Sequence, residues 1–164
     1  MPQIILSITS DNDKIACSGD IACYIVADNL AATTINQVVA TGKMVLVQGT
    51  QALEICSKYN LDGVVKEIDA TKPLKPQVKP LREKLKKKTL GIIVPARRHE
   101  AMLAGEVEPE FIAFKPENLD SSKEIIDWYN EFFLIPLAVV LPDDEHFAAK
   151  VSADFVIVKS RQTK

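Results

Sequence analysis

Three charged residues, Glu67, Lys115 and Lys159, end three similar stretches of this chain. The stretches read Leu61-Asp62-Gly63-Val64-Val65-Lys66-Glu67, Pro109-Glu110-Phe111-Ile112-Ala113-Phe114-Lys115 and Ala153-Asp154-Phe155-Val156-Ile157-Val158-Lys159. A lysine held away from water has a lowered pKa and can act as a base or Schiff-base nucleophile, with a nearby glutamate shuttling the proton. That combination suits chemistry on a small carbonyl or heterocyclic metabolite. The same groups also have a structural use, as an ion cluster plugging a cavity, because a buried lysine is costly without a carboxylate beside it. The choice depends on whether the elements that carry the charges bring them to one place.

Each stretch is an acidic residue, a short apolar run and a terminal charge. Runs apolar throughout suit strands buried on both faces, as in parallel sheets, and three near-copies indicate a repeating β/α unit. Strands over 3–9, 21–27 and 44–47 are expected before the first copy, and strands over 90–94 and 137–141 between the copies. The first two helices are expected from Asn29 to Gly42 and from Thr50 to Tyr59, and a third from near Pro80 to Lys86-Lys87-Lys88. Further helices are expected over 98–104, from Ser121 or Ser122 to Phe133, and from Asp143 to near Val151. Eight strands alternating with helices predict an α/β fold, a closed (β/α)8 TIM barrel, as one domain over residues 1–164. Such barrels usually need about 250 residues. The deficit is absorbed where polar residues 10–19 replace the helix after strand one, and where no helix follows strand eight. The outer faces of strands eight, one and two are then expected to be uncovered, which predicts a partner surface and most simply a homodimer.

Hydrophobic residues at 47% and charged residues at 26% exclude a disordered chain. No apolar run approaches the ~18 residues of a membrane span, and Met1-Pro2-Gln3-Ile4 lacks the basic start of a signal peptide. A cytoplasmic protein without membrane contact is expected. The net charge of −2 and pI near 5.7 give no pull toward nucleic acid. Lys86-Lys87-Lys88 lacks interleaved aromatic residues or glycine and reads as a solvated helix end. Cys17, Cys23 and Cys56 form no CxxC and read as reduced core residues. His146, beside Asp143-Asp144-Glu145, reads as helix N-terminal charge, and no metal ligand set is assigned. Arg97-Arg98-His99-Glu100 either clamps a carboxylate or phosphate, as arginine forks do, or opens a helix as a solvated loop.

With the strands placed, residues 44–160 resemble the thiamine phosphate synthase family, which includes a thiazole tautomerase. The likeness is carried by Leu61-Asp62-Gly63-Val64-Val65, Gly91-Ile92-Ile93-Val94, Glu110-Phe111-Ile112-Ala113-Phe114-Lys115-Pro116 and Val156-Ile157-Val158-Lys159-Ser160. The resemblance implies the barrel, and a transferase that joins a pyrimidine diphosphate to a thiazole phosphate with magnesium. It implies further that small residues on these strands face the barrel axis. Gly63, Val65, Glu67, Ala113, Lys115, Ile157 and Lys159 would then point inward, so that Glu67, Lys115 and Lys159 converge at the C-terminal mouth, where barrel active sites lie. These three are the expected catalytic groups, with Asp69, Arg97, Arg98 and Ser160 as expected substrate contacts.

The chain departs from the family at its ligand sites. The magnesium-binding pair falls on Gln48-Gly49 or Thr50-Gln51, neither with a carboxylate, which leaves Asp69 as the one residue after strand four able to serve a metal. The tautomerase histidine falls on Pro95, and the phosphate-binding glycines on Leu141-Pro142, followed by three acids. No cofactor is expected, and Mg2+ only with retained family activity. The expected function is a divergent barrel of this family that binds a small metabolite with its usual catalysis in doubt. One alternative is a non-catalytic dimer or partner-binding module with a salt-bridged mouth. The other is a lysine-dependent, aldolase-like enzyme, since Phe114-Lys115-Pro116-Glu117 looks like the sixth strand of keto-deoxy-phosphogluconate aldolases, whose own lysine falls on Ala113. A cavity of about 300 Å³ or more at the mouth would favour a small-molecule site.

Overall fold

The computed structural model describes residues 2–16, 18–141 and 151–160. Cys17, His146 and the helix expected from Asp143 lie outside the described residues. The elements run β1 (Gln3–Ile8), β2 (Ile21–Ala27), α1 (Ala32–Val39), β3 (Met44–Gln48), α2 (Ala52–Lys58), β4 (Gly63–Glu67) and α3 (Leu74–Leu85). They continue as β5 (Thr89–Pro95), α4 (Arg98–Glu106), β6 (Phe111–Lys115), α5 (Leu119–Phe132), β7 (Leu137–Val140) and β8 (Phe155–Lys159). Every neighbouring pair of strands is parallel, and β8 pairs with β1 from Gln3↔Phe155 to Ser7↔Lys159, which closes the barrel. This is the (β/α)8 fold that the alternation of elements predicts.

Strand alternation divides the apolar residues into two cores. Ile5, Ile25, Leu46, Val65, Ile93, Ala113 and Ile157 fill the barrel, while Val64, Ile92, Ile112, Phe114, Val156 and Val158 lie in the shell under the helices. Two glycines make room where the strands crowd. A Cβ on Gly91 would lie 2.2 Å from the ring of Phe111, and one on Gly63 would lie 1.9 Å from the Thr89 carbonyl oxygen.

The acidic residue of each repeated stretch makes the same pair of bonds at the N-terminal end of the barrel. The Val45 N–H donates to the Asp62 carboxylate at 2.8 Å, and the Asp62 N–H donates back to the Val45 carbonyl at 2.9 Å. Glu110 engages Leu90 in the same way at 3.2 and 2.9 Å, and Asp154 engages Leu137 at 2.9 and 3.0 Å. Each clasp engages both backbone groups of the first or second residue of β3, β5 or β7, where buried polar groups need partners.

Several local expectations are corrected. The third helix starts at Leu74 behind Pro73, not near Pro80. Pro76 sits in the first turn, where a missing N–H costs nothing, and Pro80 is carried inside the helix by the buried face of Leu74, Val78 and Leu85. That helix ends at Leu85, and Lys86 follows in the left-handed region at φ 55°, so the three lysines lie beyond it. Neither Asn29 nor Thr50 caps its helix. The caps come from neighbouring loops: Asp11 accepts from the Ala31 N–H at 2.8 Å and the Thr34 hydroxyl at 2.7 Å, and Asp28 accepts from the Gln51 N–H at 2.7 Å. Gly49, at φ 142°, makes room for this, since a Cβ there would lie 2.2 Å from the Asp28 carboxyl carbon.

The expectation of bare outer faces on β8, β1 and β2 is also corrected. Leu6, Ile8, Tyr24, Val26, Val156 and Val158 are all buried within the single chain. The loop after β1 folds onto the barrel: Tyr24 donates to the Ala16 carbonyl at 2.5 Å, Ser160 donates to the Lys14 carbonyl, and Ile15 and Ala16 pack against the core. The premise for a homodimer through these strands is therefore gone.

Candidate functional site

β4 and β6 each deliver a charge to the C-terminal end of the barrel, on the face whose lower positions fill the interior. Below Glu67 the inward residue is Val65, and below Lys115 it is Ala113, both buried. The Lys115 Nζ stands 3.3 Å from each Glu67 carboxylate oxygen, with the two side chains 56% and 42% exposed. These distances are longer than the 2.7–2.9 Å typical of charge-assisted bonds, so the pair is loose as well as wet.

A cleft of about 340 Å³ opens beside this pair. Ile68, Ile93, Val94, Pro95 and Ala96 give it apolar walls, and Glu67, Lys115, Arg97, Glu117, Ser121 and Ser122 give it polar ones. Two of the expected substrate or catalytic groups thus join Arg97 at one site. Arg97 precedes α4 and has its guanidinium 3.5 Å from Glu100, a residue mostly shielded from solvent.

The remaining expected site residues lie elsewhere. Lys159 ends β8, does not line the cleft and forms no ion pair with Glu67. In an eight-strand ring β4 and β8 stand opposite one another, whereas β6 is two strands from each, so Lys115 reaches Glu67 and Lys159 does not. Asp69 closes the turn into α3, accepting from the Thr71 hydroxyl at 2.6 Å and the Thr71 N–H at 2.9 Å. These two bonds, the hydroxyl first, lower its pKa from the ordinary value. Arg98 diverges from Arg97: its guanidinium lies over the Trp128 ring at 5.3 Å and 3.9 Å from Glu124. Ser160 is buried and ties the β1 loop to the end of β8 through Lys14.

Sequence reasoning missed Glu117, Ser121 and Ser122. Their signal lies in Asn118-Leu119-Asp120, because the Asn118 side chain accepts from the Asp120 N–H at 2.9 Å and starts α5 at Leu119. The helix therefore begins earlier than expected, and both serines fall in its first turns facing the cleft.

The two described cysteines offer no nucleophile here. Cys23 lies inside the barrel, and burial, with Asp62 adding to it, pushes its thiol up to about 12. Burial also raises the Cys56 thiol, against the pull of Lys88. Among the described residues no group of three or more His, Cys, Asp or Glu is placed to hold a metal ion, and no helix is long and apolar enough to cross a membrane.

Fold and site together define a TIM barrel with a polar cleft at the C-terminal ends of β4 to β6. Similar solved structures include tryptophan synthase from M. tuberculosis, in an open form with BRD0059 bound, with a TM-score of 0.71 at 12% identity over 96% of this chain and 82% of that one. They also include orotidine 5'-monophosphate decarboxylase from Methanocaldococcus jannaschii, with a TM-score of 0.62 at 15% identity over 97% of this chain and 89% of that one. The corresponding decarboxylase from Metallosphaera sedula gives 0.62 at 14% identity over 97% and 88%. At such identities the likeness is one of fold. No family model matches the chain, and no curated protein matches it in sequence.

These findings overturn the resemblance to thiamine phosphate synthases, and with it the basis for thiamine chemistry and transferase activity. The matching residues have scaffold roles in this barrel. Asp62 clasps a strand, Gly63 and Gly91 relieve crowding, and the apolar runs fill two cores.

Proposed function

We propose that this barrel binds a small metabolite in the cleft over β4 to β6, with Lys115 and Glu67 as the groups that engage it. In this reading the carboxylate takes a proton from the ligand and the ammonium holds the negative charge that results. The observation that carries the reading is the solvated Lys115–Glu67 pair on the wall of a cleft of about 340 Å³, within the size range of small-molecule sites. Its position supports the reading too, since barrel enzymes work at this end of their strands.

The exposure of the pair weighs against the two alternatives. A structural plug fills the mouth and shields its charges from solvent, whereas these are 56% and 42% exposed beside an open cleft. A Schiff-base lysine needs a dry pocket that favours the neutral amine, and Lys115 has neither dryness nor freedom from a carboxylate.

The test is a fragment screen of small polar metabolites by protein-observed NMR, on the wild type and on Lys115→Met. Hits are expected to move amides at the ends of β4 and β6 and to vanish in the variant. Stability of the variant is expected to change by about 1 kcal/mol or less, as for exposed ion pairs. Hits that ignore the substitution would sink the reading, and so would a loss of folding caused by Lys115→Met.

A further inference from the structure

Among the described residues, the charges on the cleft wall are two of each sign. In chain order they are Glu67 at the end of β4, Arg97 after β5, Lys115 at the end of β6 and Glu117 in the turn into α5. A site for a phosphorylated or doubly anionic ligand carries an excess of cations, and a site for an amine an excess of acids. Among its described residues this one carries neither. We infer that the ligand is a small zwitterion with an apolar body, of the kind represented by an amino acid. The inference rests on the proposed reading of the cleft as a ligand site.

The geometry supplies a reason for the loose pair. Lys115 sits equidistant from the two Glu67 oxygens at 3.3 Å, and both groups remain substantially exposed. The ammonium has three donors and the carboxylate about four acceptor positions, so neither is saturated by the other. A zwitterion exchanges partners with such a pair: its carboxylate takes Lys115 and its ammonium takes Glu67. No charge is left unpaired on either side. A plain acid would have to displace Glu67 from Lys115 and leave that carboxylate facing it, and a plain amine would leave the lysine in the same position. Ser121 and Ser122, in the first turns of α5, donate their hydroxyls to the Asn118 carbonyl at 3.0 and 2.6 Å, so they offer acceptor oxygens on the wall that carries the positive end of the helix. The apolar walls of Ile68, Ile93 and Pro95 fit the body of the ligand.

Isothermal titration calorimetry on the full chain tests this with two matched trios and inorganic phosphate. The trios are leucine, isocaproate and isoamylamine, and phenylalanine, phenylpropionate and phenethylamine. In at least one trio the amino acid is expected to bind about tenfold or more tighter than its acid and its amine, a difference of about 1.4 kcal/mol. Glu67→Gln should weaken the amino acid and strengthen the acid until the two are equal. A wild-type protein that binds acid, amine or phosphate as well as the amino acid overturns the zwitterion and leaves the cleft reading intact. Silence from every probe also overturns the zwitterion, while the Lys115→Met fragment screen judges the cleft independently.

Discussion

The two ends of the barrel treat the same three stretches differently. At the N-terminal end, Asp62, Glu110 and Asp154 repeat one arrangement, a carboxylate and an N–H closing on a single residue of the preceding strand. At the C-terminal end, Glu67, Lys115 and Lys159 occupy equivalent positions with different fates, two of them paired on the cleft wall and the third apart. Where the copies bond alike, the residues hold the scaffold. Where they diverge, two of the three stand at the cleft, in keeping with the division of barrels into a stabilising face and a working face.

The sharpest way to break this comparison is at the first end. Gly63→Ala puts a methyl group 1.9 Å from the Thr89 carbonyl oxygen, and backbone on both sides prevents escape by a rotamer change. The cost should be about 3 kcal/mol or more, read by urea denaturation. A variant as stable as the wild type would mean that the strands spread easily there. One step smaller is Asp62→Ala, which strips the Val45 N–H of its acceptor and should cost about 1–3 kcal/mol. Asp62→Asn keeps an acceptor oxygen and should recover most of that. Were both variants equally destabilised, charge and not the clasp would be the source of the effect.

The part of this legible in sequence was the part governed by periodicity. Short apolar runs gave eight strands and a closed barrel, and the charges that ended two of the three repeated runs marked Glu67 and Lys115. Lys159 was misjudged because a repeat in sequence says nothing of how far apart in the ring its copies stand. Helix starts were misjudged where the cap comes from another loop: Asp11 and Asp28 lie 20 or more residues from the N–H groups they accept from. Residues 10–19 looked like a gap in the outer shell because the covering role of Lys14 and Ala16 depends on Tyr24 and Ser160, distant bonds that no local pattern encodes. Glu117, Ser121 and Ser122 were hidden by a helix start placed two or three residues late.

The smallest expected effect separates the two ends by pH. Near the working end, carboxylates hold helices instead of strands, and Asp11 is the clearest case. The Thr34 hydroxyl, and after it the Ala31 N–H, lower its pKa from the usual 3.8. A group depressed in the folded state contributes stability that is fully present above its unfolded pKa and is lost as pH falls through the folded one. The cap on α1 should thus persist at neutral and mildly acidic pH and fail only below the usual carboxylate range. A carboxyl-detected NMR titration of Asp11 should give a midpoint below 3.8, and the Thr34 amide should titrate with it. A midpoint at or above that value, or a Thr34 signal that stays still, would show that the cap does not form in solution. The strand clasps would be untouched by that result, which is what separates the two ends.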